Sequence, residues 1–419
     1  ADQAFTRNVL TFQGKRADIW SEMRGDFDLT QRIRTEQVEA ENRFSTIYNK
    51  ENHTWGLRSY LHYTYLPSSL KFGDTKQDID LHQAYTDNHF YYLWKRNGFG
   101  IELTTGINGR LTSMEDFKAH RRQLYAQPTF SWERNNFRIA ATPGVTWERY
   151  PHQKESRMHF NPRLYLRHNL SSRWSIQASA SLHHQSESPE AFYPWTYYAD
   201  YRTLVKMKEE IGNIQSQSYM LYTEYKRPVK EFFWTLMLSH FNTRRDYLTH
   251  TDYQGKEFVL TSLEHRNRTE SYQARSIISK GFYDWNLKAS LEGTYNYGKG
   301  KQAGQGIIQP CESRWLSLKP KISWTPFAWF SASYQSTLTR SETRVSTYLP
   351  ALWEVQQRLS LSIGNEDFNL NLNGEHYYNE LSADESKNTW LADAGIQYNV
   401  GKCRWTLRLN NLFNQEVFR

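Results

Sequence analysis

The chain has 419 residues, 16% of them aromatic, with a mean hydropathy of −0.81. That pairing argues against a thick aliphatic core and fits strands with one face in lipid and one in water. No run approaches the roughly 20 apolar residues of a membrane helix, two cysteines exclude a disulfide scaffold or a cysteine zinc site, and a net charge of +8, scattered over 52 basic and 44 acidic residues, forms no basic stripe for nucleic acid.

Residues 1–35 alternate poorly and read as early barrel strands or a connection from a plug domain; 36–419 read as a β-barrel domain. The start, Ala1-Asp2-Gln3-Ala4, lacks a Met and an apolar signal region. A strand is predicted around Arg43 to Tyr48, and about 17 more follow from Thr54, so that the chain holds about 18–20. The governing signal is period-two alternation. From Trp285 to Tyr297 the odd positions carry Trp285, Leu287, Ala289, Leu291, Gly293, Tyr295 and Tyr297, and the even ones Asn286, Lys288, Ser290, Glu292, Thr294 and Asn296. A tilted membrane strand needs roughly 9–11 such residues. The pattern recurs at Phe137–Trp147, Trp174–Leu182, Leu316–Trp324, Phe330–Leu338, Phe368–Leu372, Trp390–Val400 and Trp405–Leu409. Aromatics tend to fall near strand ends, where an interfacial girdle needs them.

Short turns at Arg96-Asn97-Gly98, Arg134-Asn135-Asn136, Asn169–Ser172, Arg227–Lys230, Gly281–Asp284, Thr325–Ala328, Gly364–Glu366 and Gly401-Lys402 alternate with longer polar connections. These are Leu66–Ala84, Glu187–Asn213, Asn242–Arg266, Gly300–Cys311 and Arg340–Leu352, expected to be outer loops. Pro128, Pro143, Pro162 and Pro320 interrupt strands on the apolar parity and read as bulged or membrane-edge positions. The fold class is therefore all-β, a transmembrane antiparallel barrel wide enough for an open lumen. A soluble propeller would need shorter strands and a fixed-period motif.

No catalytic, cofactor or metal-binding motif stands out, and the protein is not expected to be an enzyme. His183-His184 are strand neighbours that point to opposite faces and read as rim residues. Gly298-Lys299-Gly300-Lys301 lacks the ending and helix of a P-loop and reads as an outer loop. Glu209-Glu210 belong to a charged, solvated run, and Asn52-His53-Thr54 carries no functional weight as a glycosylation sequon. Cys311 and Cys403 fall at opposite membrane faces, too far apart to bond. One loop suggests ligand contact: Phe192, Tyr193, Trp195, Tyr197, Tyr198 and Tyr201 can stack on sugars, flat chelates or peptide side chains, or pack the loop on itself.

The C-terminal stretch Trp405–Leu409 followed by Asn411, Leu412, Phe413, Asn414 and then Phe418 resembles the closing region of TonB-dependent outer-membrane receptors. Leu316–Ser323 and Phe160–Leu164 resemble that family's Pro-Lys/Arg strands. The resemblance implies a 22-stranded barrel in the cell outer membrane that takes up a large scarce nutrient past a plug, energised by TonB. No plug is recognised here, and a fragment lacking the plug, first strands and the closing strand is expected. The implied partners are membrane lipid and lipopolysaccharide, the TonB system, the barrel assembly machinery, a nutrient ligand and a surface lipoprotein; no nucleic acid and no cofactor are implied. Siderophore, cobalamin, haem, glycan and peptide remain open as cargo. Lumen-facing cations would include Arg163, Arg167, Lys319, Lys321 and Arg408. The alternatives are a passive porin without a plug and an outer-membrane enzyme with a dispersed Ser/Asp/His set.

Overall fold

The computed structural model describes residues 3–23, 29–114, 117–150, 155–187, 196–206, 212–254, 257–304, 306–345, 347–348, 350–401 and 403–413. Almost all are β: β1 (Gln3–Met23), β2 (Leu29–Lys50), β3 (His53–Phe72), β4 (Thr75–Arg96), β5 (Phe99–Met114), β6 (Phe117–Arg134), β7 (Phe137–Tyr150), β8 (Glu155–Asn169), β9 (Trp174–Ser186), β10 (Thr196–Tyr198) and β11 (Thr203–Lys206). There follow β12 (Asn213–Arg227), β13 (Phe232–Gln254), β14 (Glu257–Phe282), β15 (Leu287–Gly304), β16 (Ile307–Phe327), β17 (Phe330–Val345), β18 (Thr347–Tyr348), β19 (Leu352–Gly364), β20 (Phe368–Glu380), β21 (Ser386–Val400) and β22 (Cys403–Leu409). All but the short β10, β11 and β18 form one antiparallel meander, each long strand paired with the next in chain order. Among the described residues, β1 and β22 have a neighbour on one side only.

Cross-strand register sorts the side chains. Leu221, Leu238, Ala274, Tyr295 and Leu316 stand directly opposite one another on one face. This face carries most of the exposed large hydrophobics, such as Leu291, Leu318 and Ile322. It is the lipid face. The cations Arg163, Arg167, Lys319, Lys321 and Arg408 all fall on the opposite, luminal parity.

Aromatic rings bracket the apolar band. On the side of the short turns, Trp55 stacks between Tyr48 and Tyr92, and Trp174 meets Tyr225 and Trp234 edge-on. On the other side, His240 stacks between Tyr219 and Tyr272, with Tyr297 beside Tyr272. The tight turns follow the sequence. Asn97 (φ 50°) and Gly98 (φ 84°) take the left-handed backbone of a two-residue hairpin, and a Cβ on Gly98 would strike the Glu133 carbonyl. The turn after β14 comes later than expected: Tyr283–Trp285 form a 3-10 turn, Asn286 turns left-handed (φ 47°), and β15 starts at Leu287 rather than Trp285.

Two expectations are corrected. The polar connections Leu66–Ala84, Asn242–Arg266 and Gly300–Cys311 are mostly strand, the tips of long hairpins; Gly298–Lys301 lies inside β15. β14 runs 26 residues, far beyond the roughly 9–11 that lipid requires. Above the membrane both faces meet water, so the alternation fades while the ladder continues. The prolines are not bulges either. Pro143 and Pro162 sit directly opposite each other, and the ladder beside Pro128 and Pro320 skips pairs but resumes in the same register.

The lipid face can be tested on β15. Leu291→Arg should cost about 2–4 kcal/mol in denaturant unfolding from lipid vesicles, whereas the luminal Asn296→Arg should cost under about 1 kcal/mol. Equal costs would contradict the assignment of the faces.

Candidate functional site

The barrel mouth on the long-hairpin side is crossed by a strap. It starts where β9 ends, and its described part is the β10–β11 hairpin. Asp200 shapes the hairpin turn, its Oδ1 accepting from the backbone N–H of Arg202 (2.7 Å) and Thr203 (2.9 Å), an Asx turn. β10 then reaches the far side of the mouth. The Tyr198 N–H donates to Gln77 Oε1 (2.8 Å), and the Gln77 amide donates back to the Tyr198 carbonyl (2.9 Å). The Tyr198 ring meets Phe72 edge-on at 5.1 Å, and the Tyr201 N–H donates to Gln31 Oε1 (2.7 Å). Gln31, Phe72 and Gln77 all lie on the luminal parity of β2, β3 and β4.

The other side of the strap is tied to β14. β11 pairs in parallel with it, Thr203–Lys206 against Phe258–Thr261, and the Tyr198 hydroxyl donates to Glu257 (3.0 Å). The β13–β14 hairpin rolls over to make this possible. A register break between Arg245 and Tyr247 turns its tip, so that β14 meets β11 and β13 meets β15 in parallel at His250 and Thr251. Burial follows: Leu70, Met114, Tyr150, Val205, Leu248 and Val259 are the buried hydrophobics among the described residues, and all six lie at the hairpin ends or in the strap. Burial also raises the Tyr197 phenol above its usual range.

A polar cleft of about 360 Å³ opens in the inner wall of β4–β9, near the base of the strap, lined among others by Asp87, Asn108, Arg121, Tyr125, Glu148 and Arg163. Glu148 is fully buried; its carboxylate accepts from the Gln123 amide and lies 3.2 Å from His159 Nε2. The Tyr125 hydroxyl donates to Asp87 (2.8 Å), and the Tyr150 hydroxyl to the Glu187 carbonyl (3.3 Å), linking the wall to the first residue of the strap. Both signs of charge and several hydroxyls converge, an arrangement suited to binding a polar solute.

Of the sequence-predicted loop residues, Tyr197, Tyr198 and Tyr201 are half-buried in the strap, and Phe192, Tyr193 and Trp195 lie outside the described residues. The Tyr198 ring fastens the strap to the wall, and Tyr201 does so through its backbone N–H. His183 lies at the outer end of β9 among the cleft-lining residues, and no cluster of three metal-ligating side chains occurs among the described residues. Cys311 and Cys403 are free and at opposite ends of the wall. Of the C-terminal motif, Asn411 is left-handed (φ 52°) and its N–H donates to Asp393 (2.8 Å), while Leu412 and Phe413 are exposed. Asn414 and Phe418 lie outside the described residues. Sequence reasoning missed Gln31, Gln77, Glu148 and His159; their common signal is a polar side chain on the luminal parity near the outer end of a strand.

No family model and no curated protein matches the chain. Among solved structures it is similar to the copper transporter OprC, at 8% identity and a TM-score of 0.51 over 99% of this chain and 75% of that one. It is also similar to the siderophore receptor PirA from Pseudomonas aeruginosa, at 13% identity and a TM-score of 0.52 over 92% of this chain and 76% of that one. The fold is thus that of an outer-membrane β-barrel. Within that class, the two similar structures are named as a transporter and a receptor.

The anchoring of the strap gives a direct test. Gln77→Ala removes two hydrogen bonds, each worth about 0.5–1.5 kcal/mol. Amide exchange at Tyr198 and Val205 should accelerate roughly tenfold, with exchange in β15 unchanged.

Proposed function

We propose that the protein is the barrel of an energised importer, which captures a large polar nutrient at its outer mouth and admits it past a plug under the action of TonB. No reaction is catalysed. The observation that carries this reading is the strap, packed on its own small core and bonded to opposite sides of the mouth. A passive pore works best with an open mouth; a capture device gains from a closable one. The polar cleft near the strap supplies hydrogen-bonding groups for the cargo. Among the described residues β1 and β22 each have one strand neighbour, and because lipid leaves a bare edge unpaired, both edges need a partner in the working barrel. The Asn411-Leu412-Phe413-Asn414 motif with Phe418 fits the same family. Copper and a siderophore, named in the two similar structures, are reasonable first cargoes to try, alongside cobalamin, haem, glycans and peptides. A surface lipoprotein and the barrel assembly machinery are further expected partners.

The test is uptake by cells expressing the intact gene, with and without TonB, using copper, ferric siderophores, cobalamin, haem, malto-oligosaccharides and short peptides as probes. One class should accumulate only when TonB is present, and Gln31→Ala with Gln77→Ala should raise its apparent KM several-fold. Accumulation of small sugars regardless of TonB, together with a steady open conductance in planar bilayers, would make the protein a passive channel instead.

A further inference from the structure

The lipid face is not uniformly apolar. Above the His240–Tyr272–Tyr297 row, register sets Asn242, Glu270 and Lys299 side by side. One step higher, Arg244 and Arg268 stand directly opposite each other. Like charges in that relation repel. Arg268 is held in place, donating from Nε to the buried Asn242 (3.0 Å) and pairing with Glu270 (2.6 Å). Lys299 pairs with the same carboxylate at 2.9 Å. Arg244 is exposed and makes no ion pair among the described residues. Arg268 and Lys299 thus share the Glu270 carboxylate, Glu312 faces Lys299 from the next strand, and Arg244 is left as the surplus cation just above the aromatic row, at the depth of lipid headgroups.

Below this cluster the same wall is hollow. Leu164, Ala178, Ala180, Leu221, Leu238 and Ala274 line an almost wholly apolar groove of about 660 Å³ that crosses β8, β9 and β12–β15. The alanines make the depression and the leucines form its banks. His240 borders it, its Nε2 buried and without a hydrogen-bond partner among the described residues.

We propose that this part of the wall is a specific site for lipid A, the phosphorylated, many-chained anchor of lipopolysaccharide. Its phosphate sits between Arg244 and Arg268, neutralising their repulsion through charge-assisted hydrogen bonds. Its acyl chains fill the groove below. The occupant is chosen by complementarity: an excess of positive charge directly above an apolar hollow fits an anionic headgroup carrying several chains, and the site faces the leaflet beyond the long hairpins. The site lies on the outside of the wall and is independent of how transport is energised.

The experiment uses the purified barrel in detergent, with retained lipid read by native mass spectrometry and thermal shift. Lipid A should bind and raise the Tm. Arg244→Gln and Arg268→Gln should each weaken binding about tenfold, and Ala180→Trp, which fills the groove, should do the same. Arg173→Gln, in a turn at the opposite end, removes equal charge and should have no effect. Retained heat-modifiable mobility on gels verifies folding, and Arg244→Lys should restore part of the affinity if a variant proves unstable. Equal binding of dephosphorylated lipid A, or of phosphatidylglycerol, would overturn the assignment. So would an equal shift by inorganic phosphate alone, which would reduce the cluster to a simple anion site.

Discussion

In a bilayer every backbone N–H and C=O must find its partner within the protein, and most of this molecule follows from that. An antiparallel meander satisfies each interior strand from both sides, and consecutive strands need only two to four residues to turn. Hence Asn97-Gly98, Asn135 and Asn286 take left-handed conformations at the turns. Prolines survive in the wall because each removes one donor without shifting the register: Leu103 still faces Pro128, and Phe130 still faces Ala141. Where the constraint lapses, above the membrane, the strands become free to bend, and it is there that the Arg245–Tyr247 irregularity turns the β13–β14 tip.

The distribution of apolar surface tells the same story from the side-chain direction. The wall exposes its leucines and tryptophans, which lipid covers, so its faces are held in place by the bilayer and by the ladder rather than by a core. The mouth has water around it and must bury something to stay closed. It does so with Leu70, Val205, Leu248 and Val259, brought from four strands. The strap is thus held by ordinary hydrophobic burial and a few hydrogen bonds, a far weaker attachment than the wall's continuous ladder.

Much of the wall was legible because alternation survives wherever one face meets lipid: β15, β21 and the strands between them show it residue by residue. β1 and the start of β2 hid because their faces are mixed. Thr6 and Thr46 share a hydrogen bond (3.1 Å) on the lipid parity, as do Asn8 and Asn42 (3.1 Å), while Phe5 and Ile19 turn inward. Paired polar side chains satisfy each other, so the strand tolerates them, but a hydropathy pattern cannot see the pairing. The strap was legible as an aromatic loop and no further. Its partners Gln31 and Gln77 lie more than a hundred residues away, and nothing in their own neighbourhoods marks them. The Arg244–Arg268 opposition is hidden in the same way, since it exists only once the register of β13 on β14 is known.

That register also places the two regions of interest on one hairpin. Arg244 ends the part of β13 that belongs to the wall; Tyr247 begins the part that belongs to the mouth. Asp246 lies between them and accepts from both the backbone and the side-chain amide of Asn213 (3.0 and 2.8 Å), fixing the break to the start of β12. A strand so anchored does not slide, because slipping by one residue would move every side chain to the wrong face. The base of the hairpin therefore stays in register with the membrane. The segment above Asp246 is the part that meets the strap, and the lipid-facing cations below it are held at a fixed depth by the ladder.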